Sequence, residues 1–136
     1  MYTRVLRNKR DSLLGTFDSP EQFCSTARRN TTTTPTQALL LMNSAFVEQR
    51  AAALGFWIER EAGIHPENRI QQLYRRVLGR PPTAREMERS REFLVRQVVA
   101  IWSQESPERL NEPAERMALT DLCHALLNSN EFLYID

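Results

Sequence analysis

The segment between Pro66 and Pro82 constrains the fold of this chain more than any other stretch. Its apolar side chains recur at helical spacing: Ile70, Leu73, Tyr74, Val77 and Leu78. Residues three and four positions apart share one face of an α-helix, so this face has to be buried against another element. Proline suits the first helical turn, whereas Gly79 and the two prolines after Arg80 prevent continuation. The pattern predicts a helix from about Pro66 to Gly79.

Capping signals predict two more helices before it. Thr34, Pro35 and Gln37 form a capping box with proline at the first helical position, and they begin a helix over 35–42. Asn43 and Ser44 interrupt it, because their side chains compete for backbone hydrogen bonds. The next helix begins near Ala45 and ends at Gly63. Its predicted apolar face consists of Val47, Ala51, Leu54 and Ile58.

The last two predicted helices follow the prolines. A second capping box, from Thr83 to Glu86, begins the first of them. Its predicted buried stripe is Met87, Leu94, Val98 and Ile101, with Phe93 and Trp102 beside it. The last helix begins near Pro113 and ends at 128–130, before an apolar tail. Its predicted inward residues are Met117, Leu119, Leu122, Cys123, Leu126 and Leu127.

The fold class predicted from these patterns is all-α. No stretch after Pro35 alternates apolar and polar residues long enough to indicate a sheet. We expect about five helices in a small orthogonal or bundle-like array, preceded by an irregular N-terminal arm and loop. The 136 residues are predicted to form a single helical domain, with the arm and loop over 1–33 and the helical core over 34–136.

Composition excludes several classes of protein. No apolar run approaches the roughly 20 residues that span a bilayer, so we expect no membrane span. The formal net charge is +1, which gives no field to attract nucleic acid, and nucleic-acid binding by the face from Arg75 to Arg91 is the weakest of three functional hypotheses. The first residues lack the charged and apolar regions of a signal peptide.

Motifs for catalysis or cofactor binding are not found. The four glycines form no phosphate-binding loop, and no Cys-x-x-Cys-His attaches haem. A zinc site from His65, His124, Cys24 and Cys123 is disfavoured, because adjacent helical residues diverge by about 100°. We therefore predict no catalytic residue, no metal site and no cofactor in this chain. Free thiols are favoured over a bridge between Cys24 and Cys123, since a lone buried cysteine commonly acts as a small hydrophobe.

One polar cluster precedes the first predicted helix. It consists of Arg28, Arg29, Asn30, Thr33 and Thr34. Helix N-termini attract anions, and the two arginines could complete a phosphate or carboxylate site. The favoured interpretation is that these side chains satisfy the loop backbone and pair with acids such as Asp18 or Glu131.

A second polar cluster lies near the C-terminus and contains Asn128, Asn130 and Glu131. Apolar anchors flank it on both sides. Its predicted role is to cap the last helix and to hold the C-terminal tail against the core. Both clusters are candidate binding residues.

Several of these segments together resemble a known family. They are 28–30, 32–39, 43–44 and 46–47, then 69–70, 73–74, 78–83 and Glu86, and finally 126–134, with 2–8 before them. In order and spacing they resemble the planctomycete cytochrome-associated C-terminal domain of unknown function, the PSD family. The resemblance covers nearly the whole chain.

The resemblance implies a place in a longer protein. Members of the family are exported, and a cytochrome domain often lies upstream, so haem is expected only in upstream domains. The chain is then the C-terminal part of a multidomain protein in the periplasm or another extracytoplasmic space. Its expected partners are upstream domains of the same polypeptide and other exported proteins. Export would slightly favour the bridge between Cys24 and Cys123.

Two functional hypotheses from different classes lead. The first is a non-catalytic helical module that packs against, scaffolds or binds its neighbours, so that the chain alone is not an enzyme. The alternative is an anion- or polysaccharide-binding site contributed to an enzyme through Arg28, Arg29 and Glu131.

Overall fold

The computed structural model describes residues 43–104 and 112–133, and most of these residues are helical. The helices are α1 (Ala45–Ala62), α2 (Pro66–Leu78), α3 (Ala84–Gln104), α4 (Ala114–Leu127) and α5 (Asn130–Leu133). No strand occurs within these two ranges. The predicted all-α class is thus confirmed. The predicted helix over 35–42 and the arm over 1–33 lie outside the described residues, and the short helix α5 was not predicted.

The ends of α1 and α2 lie where the capping residues predict them. The Ser44 side chain accepts a hydrogen bond from the Phe46 N–H at 3.3 Å and caps α1. Gly63 and Gly79 follow α1 and α2, each with φ of 70°. This left-handed value is unfavourable for residues with a Cβ atom, so glycine ends both helices. Pro66 occupies the first turn of α2.

Helix α4 lies at the centre of the packing. It packs most extensively against α1, then against α3, and it also contacts α2 and α5. The buried core cluster joins α1, α2 and α4. Its members are Ala51, Ile58, Ile70, Leu73, Tyr74, Leu119, Leu122, Cys123 and Leu126. The amphipathic faces predicted for these three helices are therefore the faces that are buried.

Helices α1 and α4 approach closely at Gly55. A Cβ atom on Gly55 would lie 3.1 Å from the Thr120 Oγ1 atom. Few real Cβ contacts are this short, so the absence of a side chain lets the two helices pack at this point. The sequence pattern did not single out Gly55.

Helix α3 packs its predicted side inward, since Met87, Phe93 and Leu94 contact the core, but that side is less buried than expected. The expected stripe of Met87, Leu94, Val98 and Ile101 is only half-buried, and Trp102 is 49% exposed. The one fully buried residue that is described in α3 is Ser90. Apolar residues occupy more than one side of this helix, and the side that packs on α4 covers only some of them.

Within the described ranges, no helix combines the length and apolar character needed to cross a bilayer.

The core predicts that replacing two isoleucines close in sequence by alanine has very different effects on the free energy of unfolding. Ile58 is 0% exposed in α1, whereas Ile64 is 82% exposed after it. We expect Ile58→Ala to lower the free energy of unfolding by about 2–5 kcal/mol, because it removes buried methyl groups and leaves a cavity. The matched control Ile64→Ala should change it by less than about 0.5 kcal/mol. Urea unfolding monitored by circular dichroism measures both values, and equal losses would contradict this packing.

Candidate functional site

The most connected polar side chain in the described residues is Arg80, in the turn between α2 and α3. Gly79 ends α2 in the left-handed conformation, and Pro81 and Pro82 keep the chain extended beyond it. The turn places the Arg80 guanidinium beside the start of α3 and beside the short helix α5. We call Arg80, Thr83, Glu86 and Glu131 the Arg80 network.

Every N–H group of the Arg80 guanidinium has an acceptor. The Nε and Nη2 atoms donate to the two carboxylate oxygens of Glu131 at 2.6 and 2.7 Å. The Nη2 and Nη1 atoms donate to the two oxygens of Glu86 at 2.7 and 2.9 Å. Nη1 also donates to the Pro81 carbonyl at 3.2 Å. A guanidinium has five N–H donors, so these bonds use its full capacity.

The predicted capping box at the start of α3 forms the second half of the network. The Thr83 N–H and hydroxyl donate to Glu86 Oε2 at 2.7 and 2.8 Å. In return the Glu86 N–H donates to Thr83 Oγ1 at 3.3 Å. These reciprocal bonds confirm the capping box. Glu86 therefore caps α3 and binds Arg80 with the same carboxylate.

The network holds its two carboxylates ionised. Hydrogen bonding from Arg80 lowers the pKa of Glu86 to about 2, against a smaller opposing effect of burial. The same cation lowers the pKa of Glu131. The bonds to Glu86 and then Glu131 raise the pKa of Arg80. Each partner thus stabilises the charged form of the others.

Tyr74 connects the network to the core. The Arg80 guanidinium carbon lies 6.0 Å from the centre of the Tyr74 ring. The Tyr74 hydroxyl lies 3.4 Å from the Ser90 hydroxyl, which is buried in α3. The face of the Tyr74 ring thus meets the Arg80 cation, while the Tyr74 hydroxyl meets Ser90 of α3. Helices α2, α3 and α5 therefore meet around Tyr74 and Arg80.

The C-terminal candidate residues act on helix ends. The Asn128 side chain donates to the His124 carbonyl at 2.9 Å, and the Ser129 hydroxyl donates to the Leu126 carbonyl at 2.7 Å. Both bonds satisfy carbonyls at the end of α4. Asn130 is the exposed first residue of α5, and Glu131 next to it binds Arg80.

The N-terminal candidate residues lie outside the described residues. They are Arg28, Arg29, Asn30, Thr33 and Thr34. The convergence of Arg28 and Arg29 with Glu131 therefore stays a prediction. In the part of the chain that is described, both oxygens of Glu131 bind Arg80.

Further polar pairs join the other helices. Glu59 in α1 accepts from Arg116 Nε in α4 at 2.7 Å, and Arg69 in α2 lies 3.8 Å from the same carboxylate. Gln97 in α3 donates to Asp121 in α4 at 2.7 Å. These half-buried pairs fix the helices relative to one another rather than converging on one pocket.

Cys123 is a buried, free thiol. Burial raises its pKa to about 12. Its neighbour His124 is only half-buried, which agrees with the predicted divergence of adjacent helical side chains. Among the described residues, no three His, Cys, Asp or Glu side chains are grouped to hold a metal ion. Cys24 lies outside the described residues.

Sequence reasoning missed Arg80 as the central residue. It identified Arg80 only as part of a basic run and of the helix-ending turn. Arg80 and Glu86 are six residues apart, so no helical spacing relates them, and Glu131 is distant in sequence. The signal available in the sequence was the combination of a helix-ending glycine, Gly79, with Arg80 and the capping-box residue Glu86 in one short segment.

Comparison with known families gives one match. Residues 1–94 match the family described as PSD1, protein of unknown function (DUF1553). The curated proteins and the solved structures give no match to this chain.

The lowered pKa of Glu86 predicts a pH-dependent stability. Its ordinary value is 4.5 and its value in the folded chain is about 2. The stabilisation is therefore complete above about pH 4.5 and is lost as the pH falls through about 2. We expect the stability difference between wild type and Glu86→Gln to be largest near neutral pH and to shrink below pH 4.5. Urea unfolding midpoints across this range measure it.

The matched control is Glu88→Gln, two residues further along α3. The Glu88 carboxylate lies 3.7 Å from Arg91 and is 63% exposed, so its removal should change stability little at any pH. A Glu86→Gln difference that stays constant down to about pH 3 would contradict the assigned network.

Burial of Cys123 predicts that its thiol is unreactive in the folded chain. The thiolate is the reactive species, and a pKa of about 12 leaves little thiolate at pH 8. In a Cys24→Ser variant, we expect Ellman's reagent to label Cys123 only when urea unfolds the chain. Rapid labelling without urea would contradict the packing of α4.

Proposed function

The chain belongs to the PSD1 family of proteins of unknown function, and we propose that it is a non-catalytic helical packing module within a longer polypeptide. The finer part of the proposal comes from the resemblance described above. It places the module at the C-terminal end of an exported, cytochrome-associated protein of planctomycetes. The module would scaffold or bind upstream domains, and haem would belong to those domains.

The observation that carries this proposal is the saturation of the Arg80 network. Arg80 directs all its donors to groups of this chain, and its two carboxylate partners each accept with both oxygens. A group that holds a substrate or moves a proton needs bonding capacity outside the fold. This network instead joins α2, α3 and α5, which favours a structural role.

The second polar set supports the same role. Glu59, Arg69 and Arg116 pair across α1, α2 and α4. Charged side chains that would suit an anionic ligand are thus used between helices. The alternative, an anion or polysaccharide site through Arg28, Arg29 and Glu131, would require Glu131 to release Arg80 when the ligand binds.

One substitution separates the structural role from a chemical one. Glu131→Gln keeps the shape of the side chain but removes the charge that Arg80 binds. In the longer natural polypeptide, we expect it to lower the unfolding temperature and the assembly with upstream domains together. Thermal unfolding and size-exclusion chromatography measure the two effects. The matched control Glu61→Gln, on the exposed side of α1, should change neither.

Two results would contradict the proposal. One is a Glu131→Gln variant that loses binding of an anion or sugar while its unfolding temperature and assembly stay unchanged. The other is a longer polypeptide that assembles and functions normally after this chain is deleted. Cell fractionation of the longer polypeptide tests its export independently of both.

A further inference from the structure

The two carboxylates that bind Arg80 are attached to the fold in different ways. Glu86 belongs to the capping box of α3, where the Thr83 N–H and hydroxyl donate to one of its oxygens at 2.7 and 2.8 Å. In the part of the chain that the structure describes, only Arg80 donates to the Glu131 carboxylate, at 2.6 and 2.7 Å. The Glu131 side chain is also 47% exposed, against 28% for Glu86. Glu86 therefore keeps its place without Arg80, whereas Glu131 depends on it.

Helix α5, which carries Glu131, has few other attachments. It contacts α2 and α4, but none of its four residues is buried. Phe132 is 43% exposed, and Leu133 is half-buried. The backbone hydrogen bonds of α5 are local, since the Phe132 and Leu133 N–H groups both donate to the Ser129 carbonyl at 3.1 Å. A segment with few buried apolar contacts opens at a low free-energy cost.

The elements around α5 are complete without it. The Asn128 and Ser129 side chains donate to carbonyls near the end of α4. Arg80 makes three bonds that do not involve α5, two to Glu86 and one to the Pro81 carbonyl. Neither the buried core cluster nor the half-buried side chains packed against it include a residue of α5. Helix α5 can thus leave without breaking a core contact or opening the end of another helix.

From this difference between the two carboxylates, we propose that α5 is a latch that closes when Glu131 binds Arg80. It opens about Asn128 and Ser129 while α1, α2, α3 and α4 stay folded. Arg80 is the fixed half of the latch, because Glu86 and the turn hold its guanidinium. Opening exposes the Arg80 Nε–H and one Nη2–H, and the chain after Ser129 can then change position. This inference rests on the Arg80 network and does not depend on the packing role proposed above.

The strength of one ion pair sets how often the latch opens. Loss of an exposed ion pair shifts an equilibrium by a factor of up to about five at 25 °C, and a bidentate pair held by a fixed guanidinium shifts it by more. We therefore expect the open fraction to rise about three- to tenfold when Glu131 loses its charge. Opening of α5 exposes little surface, so its free energy should depend little on urea, unlike that of global unfolding.

Solvent exchange of individual N–H groups in the full chain, measured by NMR at several low urea concentrations, tests the latch. In wild type, the Arg80 Nε–H and the Phe132 and Leu133 amides should exchange faster than the core amide of Leu122. Their exchange should be independent of urea, whereas that of Leu122 should accelerate with urea. In Glu131→Gln, exchange of the two α5 amides should rise about three- to tenfold and stay independent of urea.

Two comparisons separate the latch from a general loss of structure. The Glu86 N–H, which donates to Thr83 Oγ1, should exchange equally in wild type and in Glu131→Gln, because the capping box does not need α5. The matched control is Asn130→Gln, which changes an uncharged, exposed side chain next to Glu131 and should leave exchange in α5 unchanged. Circular dichroism shows that both variants are folded.

Three results would overturn the latch. The first is a wild type in which the α5 amides exchange as slowly as Leu122 and with the same urea dependence, because α5 would then open only with the whole fold. The second is a Glu131→Gln variant whose α5 amides exchange at the wild-type rate. The third is an equal acceleration of the Glu86 N–H, which would show that Arg80 and α3 open together with α5.

Discussion

The pairing of Arg80 with two carboxylates is the constraint on which the arrangement of α2, α3 and α5 depends. An isolated surface ion pair contributes little, because holding two long side chains costs entropy. Here the backbone reduces that cost: a left-handed glycine and two prolines fix the turn, and the capping box fixes Glu86. Glu131 then completes the set from α5. One cation thus sets the end of one helix, the start of the next and the position of a third.

The network works because α4 already brings these elements together. Gly55 allows α1 to approach α4 closely, and the core of Ile58, Ile70, Leu73 and Leu119 fills the space between α1, α2 and α4. Non-directional burial supplies most of the driving force, whereas the polar pairs at Glu59 and Arg80 select one arrangement among those that burial permits. Burial therefore supplies most of the stability, whereas the polar pairs supply the specificity of the arrangement.

The sequence predicted the local features of this fold and missed the features that depend on distant residues. The ends of α1, α2 and α4 were predictable, because Ser44, Gly63, Gly79 and the prolines act on their own neighbours. The pairing of Arg80 with Glu131 was not, because no sequence spacing relates them. The inward side of α3 was predicted, but its degree of burial was not: Met87 and Leu94 pack against the core and yet stay half-buried. A helix with apolar residues on two sides can bury either side, and only the position of α4 decides which one.

The folded unit extends beyond the residues that match the family. The match ends at residue 94, inside α3. Ile58, Ile70 and Leu73 lie within it, yet they are buried with residues of α4, which lies after it. Arg80 and Glu86 are also inside the match, while Glu131 is outside. A chain cut at the end of the match would expose the faces of α1 and α2 and leave Arg80 with one carboxylate. The matched helices therefore need α4 and α5 to complete their core and their network.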